Sequence, residues 1–138
     1  MTQEQILEFN KKCAKFIGAT PQSLYPENKD FEQDGIHWKF PNGIKLGMWQ
    51  NYTTANMKFH SDWNWIHEII DAIENIQIKE QHIYSIQPRG ATCQIKCSTQ
   101  YSLAFDIEMP VIYTIGKSKK EVVVQAIDQF LDWYYESK

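Results

Sequence analysis

The sequence predicts an α+β fold, a two-layer sandwich in which one antiparallel sheet of about five strands carries three helices mainly on one face. Apolar stripes with helical spacing lie at the start, in the middle and at the end of the chain. Between them, short segments alternate apolar and polar residues, which is typical of strands with one buried face. No linker or internal repeat interrupts the pattern, so we expect residues 1–138 to form a single α+β domain.

The composition is that of a globular protein. Apolar residues make up 43% of the chain and charged residues 22%, which indicates neither disorder nor a membrane span. The net charge of −3 argues against a general nucleic-acid binder, because such proteins neutralise phosphates with clustered Lys and Arg. The polar N-terminus and the odd number of cysteines predict a cytoplasmic protein.

The first 50 residues predict a helix, a loop and a hairpin. Thr2 and Gln5 form a capping box for a helix over Gln3–Ile17. Residues 20–34 contain two prolines and little periodicity, which predicts a loop. Residues 36–40 and 44–48 alternate on either side of turn-forming residues and predict a β-hairpin.

The central helix is predicted over residues 61–76. Ser61 is the expected N-cap, because its hydroxyl can accept a hydrogen bond from a free N–H of the first turn. The predicted buried stripe comprises Trp63, Ile66, Ile69, Ile70 and Ile73. Trp65 follows Trp63 by two positions, and we therefore expect it to lie on another face.

The second half of the chain predicts an antiparallel meander. Residues 82–86, 92–97 and 101–107 each alternate with a period of two. Pro110 cannot donate to a ladder, so residues 111–115 form either a short edge strand or an extended connection.

The last helix has a clear start signal and an unusual cluster of lysines. Ser118 and Glu121 form a capping box. Lys117, Lys119 and Lys120 lie at the amino end, where positive charge opposes the helix dipole. These lysines are either solvated or in contact with an acidic or phosphate partner, and they are the candidate nucleic-acid-binding residues.

The aromatic content points to an interface. Aromatic residues make up 14% of the chain, with five Trp and seven Tyr, and we expect some of these rings to lie at the surface. Surface Trp and Tyr residues are common anchors of protein interfaces. The candidate protein-binding residues are Trp49, Tyr52, Trp65, Trp133 and Tyr135.

The residues with catalytic or metal-binding chemistry form no recognised motif. His60 and His67 lack the spacing of a metal site, and Cys93 and Cys97 alternate with Ile95 as core residues do. No phosphate-binding loop or nucleophile elbow is present. We therefore expect no metal, no cofactor and no enzymatic activity, with a small enzyme of unknown reaction as an alternative.

Three segments carry a resemblance. Residues 59–66 read Phe-His-Ser-Asp-Trp-Asn-Trp-Ile, residues 10–18 read Asn-x-x-x-Ala-x-Phe-Ile-Gly, and residues 124–134 read Val-x-Ala-Ile-x-x-Phe-Leu-x-Trp-Tyr. In these motifs the chain resembles small proteins from phages and mobile elements of Bacteroidota. The resemblance implies a protein that binds a host protein, for example as an inhibitor of a defence system such as a CRISPR effector.

The leading hypothesis is thus a non-enzymatic phage-type protein that acts in the host cytoplasm. Its expected partner is a host protein or ribonucleoprotein complex that targets nucleic acid, with no membrane contact; a homodimer is also plausible. The alternative is an RNA-binding or single-strand-binding module, in which aromatic rings on the sheet stack bases.

Overall fold

The computed structural model describes residues 1–23, 36–41, 51–80, 82–99 and 111–136. Within these residues the fold is α+β, with three α-helices and two small antiparallel sheets. The predicted single sheet of about five strands is wrong, because the strands pair within two separate groups. The strands predicted at 44–48 and 101–107 lie outside the described residues.

The chain divides into two compact units, Met1–Glu68 and Ile69–Lys138. The single domain over residues 1–138 stays a prediction. In the described part of the chain, no helix has the length and apolar character needed to cross a membrane.

Helix α1 (Gln3–Ile17) is capped at both ends. The Thr2 hydroxyl accepts a hydrogen bond from the Gln5 N–H at 3.2 Å, and the Gln5 side chain accepts one from the Thr2 N–H at 2.8 Å. This confirms the predicted capping box. Gly18 ends the helix at a φ of 100°, a left-handed conformation that glycine adopts without steric cost.

The sheet of the first unit contains β1 (Thr20–Ser23), β2 (Ile36–Lys39) and β3 (Asn51–Tyr52), with β2 in the centre. The loop predicted over 20–34 is therefore wrong for its first residues, which pair with β2 in antiparallel register. Pro21 lies opposite Trp38 in this pairing. Because β1 is an outer strand of the described sheet, the missing N–H of Pro21 is tolerated.

A buried asparagine joins α1 to the segment that follows β3. Asn10 is fully buried, and its Nδ2 donates to the carbonyls of Thr54 at 3.1 Å and Met57 at 3.0 Å. Its Oδ1 has no hydrogen-bond partner among the described residues. The side chain thus acts as a double donor between α1 and the 3-10 turn Thr54–Asn56.

Helix α2 (Trp63–Glu80) starts two residues later and ends four residues later than the predicted range of 61–76. Asp62, not Ser61, provides the cap, because its Oδ1 accepts a hydrogen bond from the Asn64 N–H at 2.9 Å. The predicted buried stripe is also rotated, since Trp63 and Ile70 are only half-buried. Among residues 63–76 of α2, the buried ones are Trp65, Ile66, Ile69 and Ile73.

The sheet of the second unit contains β4 (His82–Arg89), β5 (Thr92–Thr99) and β6 (Ile112–Ile115), with β5 in the centre. The hairpin between β4 and β5 turns through Gly90 and Ala91, and Gly90 has a φ of 61°. Short hairpin turns of this kind favour glycine because they require positive φ. Of the two alternatives predicted for residues 111–115, the structure shows the edge strand.

Helix α3 (Lys119–Glu136) begins directly after Ser118, the residue predicted to cap it. The Ser118 hydroxyl accepts a hydrogen bond from the Glu121 N–H at 3.2 Å. The Glu121 carboxylate accepts one from the Lys117 N–H at 2.9 Å. Half of the predicted capping box is therefore present, because Glu121 accepts from the N–H of Lys117, the residue before the cap, and not from that of Ser118.

Helix α3 packs against all three strands of the β4–β5–β6 sheet. The ring of Tyr84 on β4 meets that of Phe130 edge-on at a centroid distance of 5.1 Å. Cys93, Ile95 and Ile112 are buried with Tyr84. Because neighbouring side chains along a strand point to opposite faces, the intervening residues lie on the face away from α3.

Candidate interaction surface

The two protein-binding candidates that the structure describes in the first unit belong to an interior cluster of rings. Trp65 is only 3% exposed, so the expectation that it faces away from the core is wrong. Its ring meets those of Tyr52 and Phe59 edge-on at 4.8 Å, and Tyr52 is half-buried. Trp49 lies outside the described residues.

The candidates at the end of α3 also pack against other rings. Trp133 and Tyr135 are half-buried. The ring centroid of Trp133 lies 5.9 Å from that of Phe130, and the ring centroid of Tyr135 lies 5.6 Å from that of Tyr134. No tryptophan in the described part of the chain is exposed. Binding of a protein by Trp133 and Tyr135 stays a prediction, but many of the described rings lie in interior clusters.

The three candidate lysines lie at the amino end of α3. Lys117 and Lys119 are exposed, whereas Lys120 is half-buried. Their position beside the end of β6 places positive charge near the edge of the sheet. Their role in nucleic-acid binding stays a prediction.

The cysteine predicted to be a core residue is buried. Cys93 is 1% exposed, and this burial raises the pKa of its thiol, with a smaller opposite effect from a backbone hydrogen bond of Gln94. The side chain of Cys97 lies outside the described residues. Across the ranges that the structure describes, no three His, Cys, Asp or Glu side chains are grouped to hold a metal ion.

His60 lies in the turn before α2 and is half-buried. Its Nδ1 is buried and has no hydrogen-bond partner within the described ranges. Burial lowers the pKa of the His60 imidazole, and the positive charge of the N-terminal amine lowers it further. The neutral ring is therefore favoured in the folded protein.

Among the residues that the structure describes, three of the four exposed large apolar side chains lie in strand β6 or at the position before it, and the fourth is Met1. Val111 is 49% exposed, Tyr113 is 55% exposed and Ile115 is 68% exposed. They alternate with Ile112 and Thr114, which are buried. Sequence reasoning missed these three residues as site candidates, although the segment has no charged residue at any position.

We call the sheet surface on the side away from α3 the open face. Tyr113 lies beside Gln94, which in turn pairs with Gln87. Ile115 lies beside Thr92, which pairs with Arg89. The open face comprises Ser85, Gln87, Arg89, Thr92, Gln94, Lys96, Val111, Tyr113 and Ile115.

The open face is positively charged. Arg89 and Lys96 are exposed there, and none of the nine residues just named is acidic. Lys117, which is also exposed, follows Ile115 by two positions. This local charge is opposite in sign to the net charge of −3 of the whole chain.

The chain was also compared with known proteins. No family model, curated protein or solved structure matches the chain. The resemblance to phage and mobile-element proteins stays an expectation from the sequence.

The backbone of β6 presents hydrogen-bonding groups at the outer edge of the sheet. The Gly116 N–H donates to the Ala91 carbonyl at 3.0 Å, which identifies this pair as a hydrogen-bonded one. Hydrogen-bonded pairs recur at every second residue of an antiparallel ladder, so Ile112 and Thr114 also direct their backbone groups toward β5. The N–H and C=O groups of Tyr113 and Ile115 therefore point away from β5.

Proposed function

We propose that this chain is a non-enzymatic protein that binds another macromolecule through the open face, with a host protein or ribonucleoprotein complex as the partner. The observation that carries the proposal is the exposure of Val111, Tyr113 and Ile115 on one side of an edge strand. Apolar side chains grouped in this way are typical of interaction sites. Burying them contributes about 25 cal/mol for each Å² of apolar surface removed from water.

The surroundings of these three residues resemble the rim of a protein interface. Gln94 and Thr92 pair directly with Tyr113 and Ile115 and are half-buried. Protein interfaces commonly combine an apolar centre with a polar rim that supplies hydrogen bonds. The open face therefore offers both contact area and directional groups to a partner.

The resemblance of residues 59–66 to phage and mobile-element proteins supports a more specific proposal. In this proposal the chain acts in the host cytoplasm and inhibits a complex that targets nucleic acid. The open face would occupy a surface that the complex needs for its own assembly or activity.

Single-stranded nucleic acid is the second candidate partner, favoured by Arg89 and Lys96 on the open face. Sheets that bind single strands stack bases on several aromatic rings. Among the nine residues of the open face, only Tyr113 is aromatic, and its apolar neighbours Val111 and Ile115 are aliphatic. The aliphatic side chains favour a protein partner.

The proposal is tested by capture of a partner with tagged protein from host cells. We expect Ile115→Lys to abolish capture, because it puts a charge into the apolar centre of the surface. Asn75→Lys is the matched control, since it adds the same charge at an exposed position of α2 and should leave capture unchanged. Equal capture by Ile115→Lys and wild type would contradict the proposal.

Salt distinguishes the two classes of partner. Binding through an apolar surface should change little between about 0.1 and about 0.5 M salt, whereas phosphate contacts weaken steeply over such a range. The measurement is the affinity for the captured partner, and for single-stranded RNA, at both salt concentrations. A steep fall would favour the nucleic-acid alternative.

A further inference from the structure

We infer that the partner binds as an added strand, an extended and acidic polypeptide segment that pairs with the outer edge of β6. This inference rests on the proposed function and names the chemistry of the partner. Addition of a strand to a sheet edge combines backbone hydrogen bonds, which give affinity, with side-chain contacts at alternate positions, which give specificity.

The outer edge of β6 has the features of a pairing edge. In the described sheet β6 is an outer strand, and the backbone groups of Tyr113 and Ile115 point outward. Proteins commonly protect such edges with charged residues or with proline inside the strand. Residues 112–115 contain neither. The edge is therefore suited to pairing with another chain.

Exposed side chains and outward-pointing backbone groups coincide along β6. The residues whose backbone groups point outward are the same ones whose side chains are exposed on the open face. A strand paired with β6 would place alternate side chains about 5 Å from those of Tyr113 and Ile115. Alternate apolar residues in the partner would bury these two side chains.

Positively charged side chains lie near β6. Lys117 and Lys119 lie just beyond the end of β6, and Lys96 lies on the neighbouring strand. The nearby Glu121 carboxylate accepts a hydrogen bond from the Lys117 N–H. Acidic residues at the two ends of the partner segment, beyond its apolar ones, would complement this charge.

The same charges disfavour a second copy of this chain as the occupant. Antiparallel pairing of two β6 strands would bring the end of one β6 beside the start of the other, and Lys117 of each copy would then lie close to Lys96 of the other copy, which is next to Val111 on the neighbouring strand. Like charges at an interface oppose association. The occupant is therefore a different polypeptide.

The test uses a pair of variants at one position. Tyr113→Thr removes the ring but keeps the outward N–H, whereas Tyr113→Pro removes both. Proline is tolerated at an edge position whose N–H takes no part in the ladder. We expect Tyr113→Pro to bind more weakly than Tyr113→Thr, with both variants showing the same far-ultraviolet circular dichroism as the wild type.

The probe, called the Val-Glu peptide, is a synthetic, end-blocked peptide of about nine residues with alternating Val and Thr in the middle and Glu at both ends, long enough to pair with all of β6. The same peptide with Lys in place of each Glu is the control, and it should bind about tenfold more weakly because its charges are reversed. By hydrogen exchange, the Val-Glu peptide should protect the amides of Tyr113 and Ile115. The amides of Ile112 and Thr114, which already donate to β5, should change little.

Three results would overturn the inference. They are equal binding by Tyr113→Pro and Tyr113→Thr, tighter binding of an oligouridylate of about twelve nucleotides than of the Val-Glu peptide, and protection of the edge amides by dimerisation without any peptide. If Ile115→Lys abolishes partner capture while Tyr113→Pro retains it, the proposed function stands and the added strand is rejected.

Discussion

The Thr114 hydroxyl donates a hydrogen bond to the Val122 backbone carbonyl at 2.7 Å and thereby joins β6 to the first turn of α3. Thr114 is 4% exposed, so water cannot readily replace this bond. The bond fixes which side of β6 faces the helix. It therefore also fixes Tyr113 and Ile115 on the open face.

We predict that Thr114→Val destabilises the protein by about 1–2 kcal/mol, because it keeps the shape of the side chain and removes a buried hydrogen bond. The measurement is the free energy of unfolding in urea. Thr114→Ser is the control, since it retains the hydroxyl and loses only a methyl group. Equal stability of Thr114→Val and wild type would show that the bond contributes nothing to the docking of α3.

The helices could be predicted because their signals are local. The caps at Thr2 and Ser118 act within one turn, and the structure contains both. The division into two sheets could not be predicted in this way. Thr20 pairs with Lys39 although residues 24–35 separate the two strands, and no periodicity in the sequence specifies that pairing.

The candidate surface was missed for a related reason. The residues of 111–115 are apolar or β-branched at both the odd and the even positions, so the sequence alone does not say which set is buried. That choice depends on the docking of α3, a contact between distant elements. The error at Trp65 is different. Trp65, Ile69 and Ile73 recur at four-residue spacing and share one face of the helix, whereas the prediction began the stripe at Trp63, which lies about 200° from Trp65 around the axis.

The two tryptophans of α2 should differ in their contribution to stability. Trp65→Ala should cost about 3–5 kcal/mol, because the ring is buried and contacts Tyr52 and Phe59. Trp63→Ala should cost less, about 1–2 kcal/mol, because this ring is half-buried. Urea unfolding of both variants checks the order, and a larger loss for Trp63→Ala would mean that the helix buries the opposite face.

Asn10 should be intolerant of a change that looks conservative. Asn10→Asp replaces two N–H donors with a carboxylate that faces the carbonyls of Thr54 and Met57. The cost should exceed that of Asn10→Leu, which removes the hydrogen bonds, at about 1 kcal/mol each, without adding charge. The cost of Asn10→Asp should also decrease at acidic pH as the carboxyl takes up a proton. Equal stability of the two variants at neutral pH would contradict this reading of the site.

His60 should make the protein less stable in mild acid. Burial lowers the pKa of this imidazole in the folded state, so the unfolded chain takes up a proton first as the pH falls below about 6.5. The stabilisation from the neutral ring is full above that pH and is lost below it. Unfolding free energies of wild type and His60→Gln at about pH 7.5 and about pH 5.5 check this. The wild type should lose more stability than the variant, and equal losses would contradict the prediction.

Cys93 should be unreactive until α3 opens. Its side chain is buried beneath that helix, and burial raises the pKa of the thiol, so little of the nucleophilic thiolate forms at neutral pH. In a Cys13→Ala, Cys97→Ser background, labelling of Cys93 by iodoacetamide should be slower than in urea by on the order of a hundredfold, because it requires local opening. Adding Thr114→Val should accelerate labelling, since that variant weakens the bond between β6 and α3. Labelling of the folded protein at the rate seen in urea would place Cys93 at the surface and remove the physical basis for assigning Tyr113 and Ile115 to the open face.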